Sequence, residues 1–306
     1  MKTGVIETLS HSEEAGAAGR SRNRIAADYA ELVKARLTML VLLTTAVGYY
    51  LGARDAVRFL SFFHVVFGTA AAAAGAAALN QWWERKVDAL MQRTRERPVP
   101  GGRMPPLEAL LVGGILSMGG VVYLAVACNL LSAGLAALTI VIYIFAYTPL
   151  KRISTLNTLV GTVPGALPPL IGWAAARGTI DAGAWSLFAV MVLWQLPHFF
   201  AIAWMYREDY LRAGFQMISN DDLKGDRSAS QSVFFCIWLL VIAGLPGFVG
   251  VASSIYVPIS LLLGGIYLAS AMRFLRKRTV AAARGLFLTS IIYLPLLLGA
   301  LVLTKL

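Results

Sequence analysis

Charge is scarce in this chain. Only 14% of its 306 residues are Asp, Glu, Lys or Arg, while 58% are hydrophobic. Soluble domains run near ~25% charged, so an ordinary soluble domain is excluded, and a mean hydropathy of +0.68 agrees. Acids are scarcer than bases, 16 against 27. The resulting +11 net charge lies between long apolar runs, not on a soluble basic patch. It therefore argues for a membrane topology signal and anionic substrates, not for nucleic acid. Only two cysteines occur, Cys128 and Cys236, both in apolar stretches without CxxC or metal-ligand spacing. A disulfide framework and a zinc site are excluded as readings, leaving small packing roles. Residues 1–33 lack the apolar core of a cleavable signal peptide. Their acids, Glu7, Glu13, Glu14, Asp28 and Glu31, set them apart from an acid-poor transit peptide. They read as a polar, flexible cytosolic tail ahead of one domain, 34–306. No internal repeat stands out.

The apolar bulk divides cleanly. Stretches free of Asp, Glu, Lys and Arg cover 37–53, 59–83, 109–150, 153–176, 182–206, 228–272 and 285–304. A span takes about 17–25 residues, so 109–150 and 228–272 must each hold two. Their breaks are expected near Cys128-Asn129 and between Pro246 and Ser254, where turn formers gather. The expected fold is all-α and polytopic, with nine transmembrane helices around a central cavity. With the N-terminus cytosolic, 23 of the 27 Lys and Arg fall on the cytosolic side, the exceptions being Arg54, Arg58, Arg177 and Lys305. That asymmetry places the C-terminus on the opposite side. A bacterial cytoplasmic (inner) membrane is the expected location.

The scarce charges cluster. Asn80, Glu84 and Asp88 stand at i, i+4 and i+8, one face of a helix. Two carboxylates so placed can share Mg²⁺ with a substrate phosphate, with Asn80 as a neutral partner. A solvated helix end balanced by Arg85 and Lys86 fits the spacing equally well. The cationic run that follows, with Arg93, Arg95 and Arg97, favours a metal–diphosphate substrate, because arginines fork onto phosphate oxygens. Further polar spots lie at Lys34 and Arg36, at Tyr147 with Lys151 and Arg152, and at Tyr206-Arg207-Glu208-Asp209-Tyr210. The topology puts all of them on one membrane face. Single histidines inside spans, His64 and His198, can pack helices or meet a ligand. The Pro-His-Phe setting favours a ligand for His198, and packing is favoured for His64. A transporter would place ionisable residues along a path at mid-membrane, whereas here they crowd one face.

In ordered pieces the chain resembles the UbiA-type intramembrane prenyltransferase superfamily and, within it, the haem O synthases. The matching pieces are Asn80-x-x-x-Glu84-x-x-x-Asp88 with Arg93 and Arg95, Tyr147-Thr-Pro-Leu-Lys151-Arg152, Gly161 to Trp173, Trp194-Gln-Leu-Pro-His198-Phe and Asp209 to Gly214. The resemblance runs from about Tyr29 to the last helix. It departs at Ala35, where the family usually has Pro, at Glu84 for Asp, and at Phe215-Gln-Met-Ile-Ser. It implies transfer of farnesyl from farnesyl diphosphate to a vinyl group of haem B. Glu84, Asp88 and Asp209 would act as catalytic metal ligands for Mg²⁺. Asn80, Lys34, Arg36, Arg93, Tyr147, Lys151 and Arg152 would hold the diphosphate, and His198 would meet the haem. Haem B would be substrate, not cofactor, and a downstream haem-modifying enzyme would be a partner. A quinone-precursor prenyltransferase would share the acids but not the Gly161–Trp173 and Trp194–His198 runs.

Overall fold

The computed structural model describes residues 24–54 and 56–306. Nine helices long and apolar enough to span a membrane occur among the described residues. They are α1 Ala35–Gly52, α2 Phe59–Asp88, α3 Pro106–Ala127, α4 Leu130–Leu150, α5 Asn157–Arg177, α6 Ala182–Met205, α7 Asp226–Phe248, α8 Tyr256–Lys277 and α9 Val280–Leu303. The chain is a multi-pass membrane protein, with no strand among the described residues.

Both expected breaks are present. Asn129 interrupts the first long run and caps α4, its side chain accepting from Ser132 N. The segment 249–255 interrupts the second. Helix ends differ from the charge-free limits in two places. α2 continues through Arg85 and Lys86 to Asp88. α8 continues through Arg273, Arg276 and Lys277, so the loop expected at 273–284 shrinks to Arg278 and Thr279. Lys and Arg are good helix formers, and at an interface they need not end a helix.

Of the stretch read as a tail, the first 23 residues lie outside the described residues. Residues 24–32 are helical. There Leu32 is fully buried with Ala78, Val99, Met104 and Ala109, and Asp28 and Glu31 both pair with Arg103. This part of the tail packs on the loop between α2 and α3.

Spans α1 and α5 approach closely, since a Cβ on Gly172 would stand 2.0 Å from the Thr45 carbonyl oxygen. Small residues at such crossings replace the hydrophobic drive that lipid cannot supply. One apolar core joins α1 and α5 to α6, α7, α8 and α9, and a second joins α1, α2, α3, α4 and α5. α4 ends in a π-turn, Ile142–Tyr147, the kind of irregularity that often marks a functional site.

Candidate active site

The final turns of α2 are not a solvated helix end. Asn80, Glu84 and Asp88 are 1%, 5% and 1% exposed, because the loops after α2, α4 and α6 close over them. Leaving water is costly for a carboxylate unless it is paired and hydrogen-bonded, and each of these is. Lys151 donates to both Glu84 oxygens at 2.8 and 3.0 Å. Arg97 donates to Asp88 Oδ2 at 2.7 Å. Asn80 Nδ2 donates to Glu84 Oε2 at 3.0 Å and to Thr148 Oγ1 at 3.1 Å, while its Oδ1 accepts from Lys34 at 2.7 Å.

Local backbone explains how the cations arrive. Lys34 stands at the turn before α1 with φ +48°, a left-handed conformation that costs a non-glycine residue about 1–2 kcal/mol. That turn carries its Nζ to Asn80 and to the Tyr143 hydroxyl, 3.2 Å away. The π-turn of α4 stacks Tyr143 on Tyr147, ring centroids 5.7 Å apart. It also delivers Lys151 to the α4 terminus, over the Tyr147 ring. Burial opposes the Lys151 charge, yet the Glu84 carboxylate outweighs it and holds the lysine above its usual range. Lys34 goes the other way: burial first, then Arg97 and Lys151, push it down from 10.5 to about 7.

The loop after α6 supplies the cover. Phe215 and Met217 pack with Met91 and Tyr210, and Gln216 N donates to the Lys151 carbonyl at 2.6 Å. Arg93 lies between the rings of Tyr206 and Tyr210, at 4.8 and 4.6 Å. A cleft of about 110 Å³ remains, lined by Lys34, Asn80, Glu84, Asp88, Arg93 and Lys151 among others.

Most of the residues singled out from sequence therefore meet in one place. Lys34, Asn80, Glu84, Asp88, Arg93, Tyr147 and Lys151 line the cleft; Asp209, Arg36 and Arg152 do not. Arg36 and Arg152 are exposed. Asp209 is buried, but it accepts from Gln92 N at 3.2 Å and from Arg212, bridging the loops after α2 and α6. Sequence reading missed Tyr143 and Thr148. Tyr143 was findable one helical turn before Tyr147, whereas nothing in the pattern marks Thr148. His64 pairs with the Tyr123 hydroxyl at 2.7 Å, as a packing histidine would. His198 Nδ1 meets Ser290 Oγ at 2.6 Å, with its ring stacked on Trp194 and Phe287.

No group of three or more His, Cys, Asp or Glu side chains among the described residues is gathered closely enough to hold a metal alone. Glu84 and Asp88, one turn apart and both buried, fit Mg²⁺ in its usual manner, through one or two carboxylates with substrate phosphates completing the shell. The donor set suits a metal arriving with a diphosphate, whose charge can take over Lys151 and Arg97.

Residues 41–294 match the UbiA prenyltransferase family. The chain is 44% identical over 287 residues to the protoheme IX farnesyltransferase of Solibacter usitatus (strain Ellin6076), covering 91% of this chain and 98% of that one. Its fold is that of a digeranylgeranylglyceryl phosphate synthase, with a TM-score of 0.76 at 16% identity over 91% of this chain and 98% of the other. It is also that of a UbiA homologue from Archaeoglobus fulgidus bound to GPP and Mg²⁺, with a TM-score of 0.68 at 15% identity over 90% and 99%. The match over residues 41–294 and the 44% identity over nearly the whole length of a relative settle membership: the chain belongs to the UbiA prenyltransferase family.

Proposed function

We propose that this prenyltransferase moves a farnesyl group from farnesyl diphosphate to a vinyl carbon of haem B. Water adds to the other vinyl carbon, giving a hydroxyethylfarnesyl side chain (haem O) and releasing diphosphate. The observation that carries the reading is the cleft itself, where Glu84 and Asp88 are buried against Lys151 and Arg97. It is supported by the likeness to a protoheme IX farnesyltransferase 44% identical over nearly its whole length.

Heterolysis of an allylic diphosphate places charge on the leaving oxygens, and preorganised cations stabilise that charge best in a water-poor site. Mg²⁺, carried by Glu84 and Asp88, would supply Lewis-acid stabilisation to the same oxygens. Lys34, Lys151, Arg93 and Arg97 would fork or point onto the diphosphate, with Asn80 and Tyr147 fixing its position. Asp209 would complete the acidic set through the loop it anchors, and Arg36 and Arg152 would add longer-range attraction. Apolar helix walls would shield the farnesyl cation until the vinyl group attacks. His198 would orient the porphyrin through Nε2, since Ser290 fixes the other ring nitrogen.

The charge asymmetry supports a cytosolic cleft in a bacterial inner membrane, with the C-terminus on the far side. A downstream haem-modifying enzyme would take the product. The test is product mass after incubating purified protein with haem B, farnesyl diphosphate and Mg²⁺. Haem gaining one farnesyl and one hydroxyl group, the second hydrogen of the water leaving as a proton, is expected. Prenylation of an aromatic quinone precursor instead, with haem untouched, would overturn the proposal.

A further inference from the structure

The four basic residues that the charge asymmetry leaves on the far face, Arg54, Arg58, Arg177 and Lys305, are not scattered. Arg54, Arg58 and Arg177 line two adjoining cavities of about 410 and 550 Å³, which share Ala53, Arg54 and Arg177. Lys305 stands beside them, its Nζ donating to the carbonyls of Tyr50 and Ala53 at 2.7 Å each. This group gathers at the far end of α1. The 18 residues of that helix put it about 27 Å from Lys34 along the axis.

Part of this arrangement is helix capping. Arg177 Nε donates to the Gly52 carbonyl at 2.9 Å, and Lys305 takes the neighbouring carbonyls. Capping does not account for the rest. Arg54 and Arg58 are exposed and both line the larger cavity. Among the described residues lining the two cavities, Asp181 is the one acidic side chain, against three arginines. Both Asp181 oxygens are engaged: Oδ1 accepts from Gly183 N and Ala184 N, and Oδ2 from Arg177 at 2.5 Å. Burial, then the Arg177 charge, lower the Lys305 ammonium from its ordinary range.

The floor of the smaller cavity is Trp173, 1% exposed, with the Arg177 guanidinium 4.5 Å over its ring. Its Nε1 has no hydrogen-bond partner, and a buried donor left unbonded is unusual in a folded protein. Leu51, Val249 and Val251 give the same cavity an apolar side. Cations above an apolar flank, at a membrane surface, match an oxyanion joined to hydrocarbon.

We propose that these cavities form an anion site, separate from the catalytic cleft, that takes a phosphate ester, with Arg54, Arg58 and Arg177 as its cationic contacts. The phosphate can come from an anionic lipid headgroup or from a soluble ester, and one experiment distinguishes them. The protein is placed in nanodiscs of phosphatidylcholine alone, of phosphatidylcholine with phosphatidylglycerol, or of phosphatidylcholine with inorganic phosphate in the buffer. Phenylglyoxal modification is then followed at Arg54, Arg58 and the exposed Arg276 at the other end of the bundle.

Each cation near an anionic headgroup is worth about a fivefold change in affinity, so phosphatidylglycerol should slow modification at Arg54 and at Arg58 about fivefold more than at Arg276. Protection by inorganic phosphate alone would keep the site and assign it to a soluble ester. In the double variant Arg54→Gln/Arg58→Gln, native mass spectrometry should show less co-purified phosphatidylglycerol with unchanged prenyl transfer. Arg54 and Arg58 slowed no more than Arg276 in both arms would overturn the proposal.

Discussion

Two places in this molecule put polar side chains where apolar ones would be expected, and they differ in how those groups are satisfied. At the end of α2, Glu84 is held by Lys151 from the end of α4, Asp88 by Arg97 from the following loop, and Asn80 by Lys34 from the turn before α1. In the α6–α9 layer, His198 has Ser290 and two aromatic rings, and Trp194 Nε1 donates to the Ser290 carbonyl. The second arrangement uses only neutral groups, from one neighbouring helix. The first gathers formal charges from several elements into a cleft, and buried ion pairs contribute little net stability. An arrangement that stability does not favour points to a ligand that exchanges partners with it.

The comparison breaks most sharply at Asp88. Asp88→Asn keeps an acceptor for Arg97 but loses the charge that would hold Mg²⁺, and is expected to cut turnover about 10²–10³-fold, the effect of removing one preorganised electrostatic group. The variant should still fold because that hydrogen bond survives. Glu84→Gln should be similarly severe, while Glu84→Asp, which keeps a charge facing Lys151, should be tolerated, with turnover within about tenfold of the unmodified protein. Near-normal turnover of Asp88→Asn at ordinary Mg²⁺ would remove the metal assignment.

Next in size are the cations. Lys151→Ala and Arg93→Ala each remove a charge-assisted contact of about 1.5–3 kcal/mol, so farnesyl diphosphate affinity should fall by about 10- to 150-fold with haem affinity unchanged. Loss of haem affinity alone would reassign both residues to the porphyrin propionates.

A smaller effect sharpens the role of Lys34. Its ammonium is pushed down to about 7, so above that pH the free protein holds it mostly neutral, and binding a diphosphate must draw a proton back. Affinity should therefore weaken as pH rises from 7 to 9, by at most about tenfold per pH unit, and Lys34→Ala should flatten the dependence. Above pH 7 the slope is negative because the bound state carries the extra proton. A flat profile in the unmodified protein would separate Lys34 from the diphosphate.

On diphosphate binding the least effect is expected from His198. His198→Ala should leave farnesyl diphosphate affinity intact while shifting the absorption spectrum of bound haem. An unchanged spectrum and haem affinity would leave the residue as a packing partner of Ser290.

The spans were legible because a membrane helix needs an uninterrupted apolar length, and charge-free runs measure it directly. Their ends were less so, since Arg85, Lys86 and Arg273 to Lys277 are compatible with either helix or loop. Residues 24–32 looked like tail because Ile25 and Leu32 alone make too thin an apolar pattern. The i, i+4, i+8 face was legible too, because a helix fixes it locally. Its burial was not, since that depends on loops remote in sequence folding over α2. The same holds for Asp209, whose hydrogen bonds with Gln92 and Arg212 join two loops, a pairing that its neighbours in sequence do not mark. Tertiary pairing decides such roles, and no local spacing encodes it.

The account rests on metal and diphosphate binding together in place of the Glu84–Lys151 and Asp88–Arg97 pairs. Calorimetric titration of inorganic diphosphate into the purified protein, with and without Mg²⁺, tests that directly. Tight binding is expected only with Mg²⁺ present, and it should disappear in Asp88→Asn. Equal affinity with and without Mg²⁺, or an Asp88→Asn variant that binds like the unmodified protein, would contradict it.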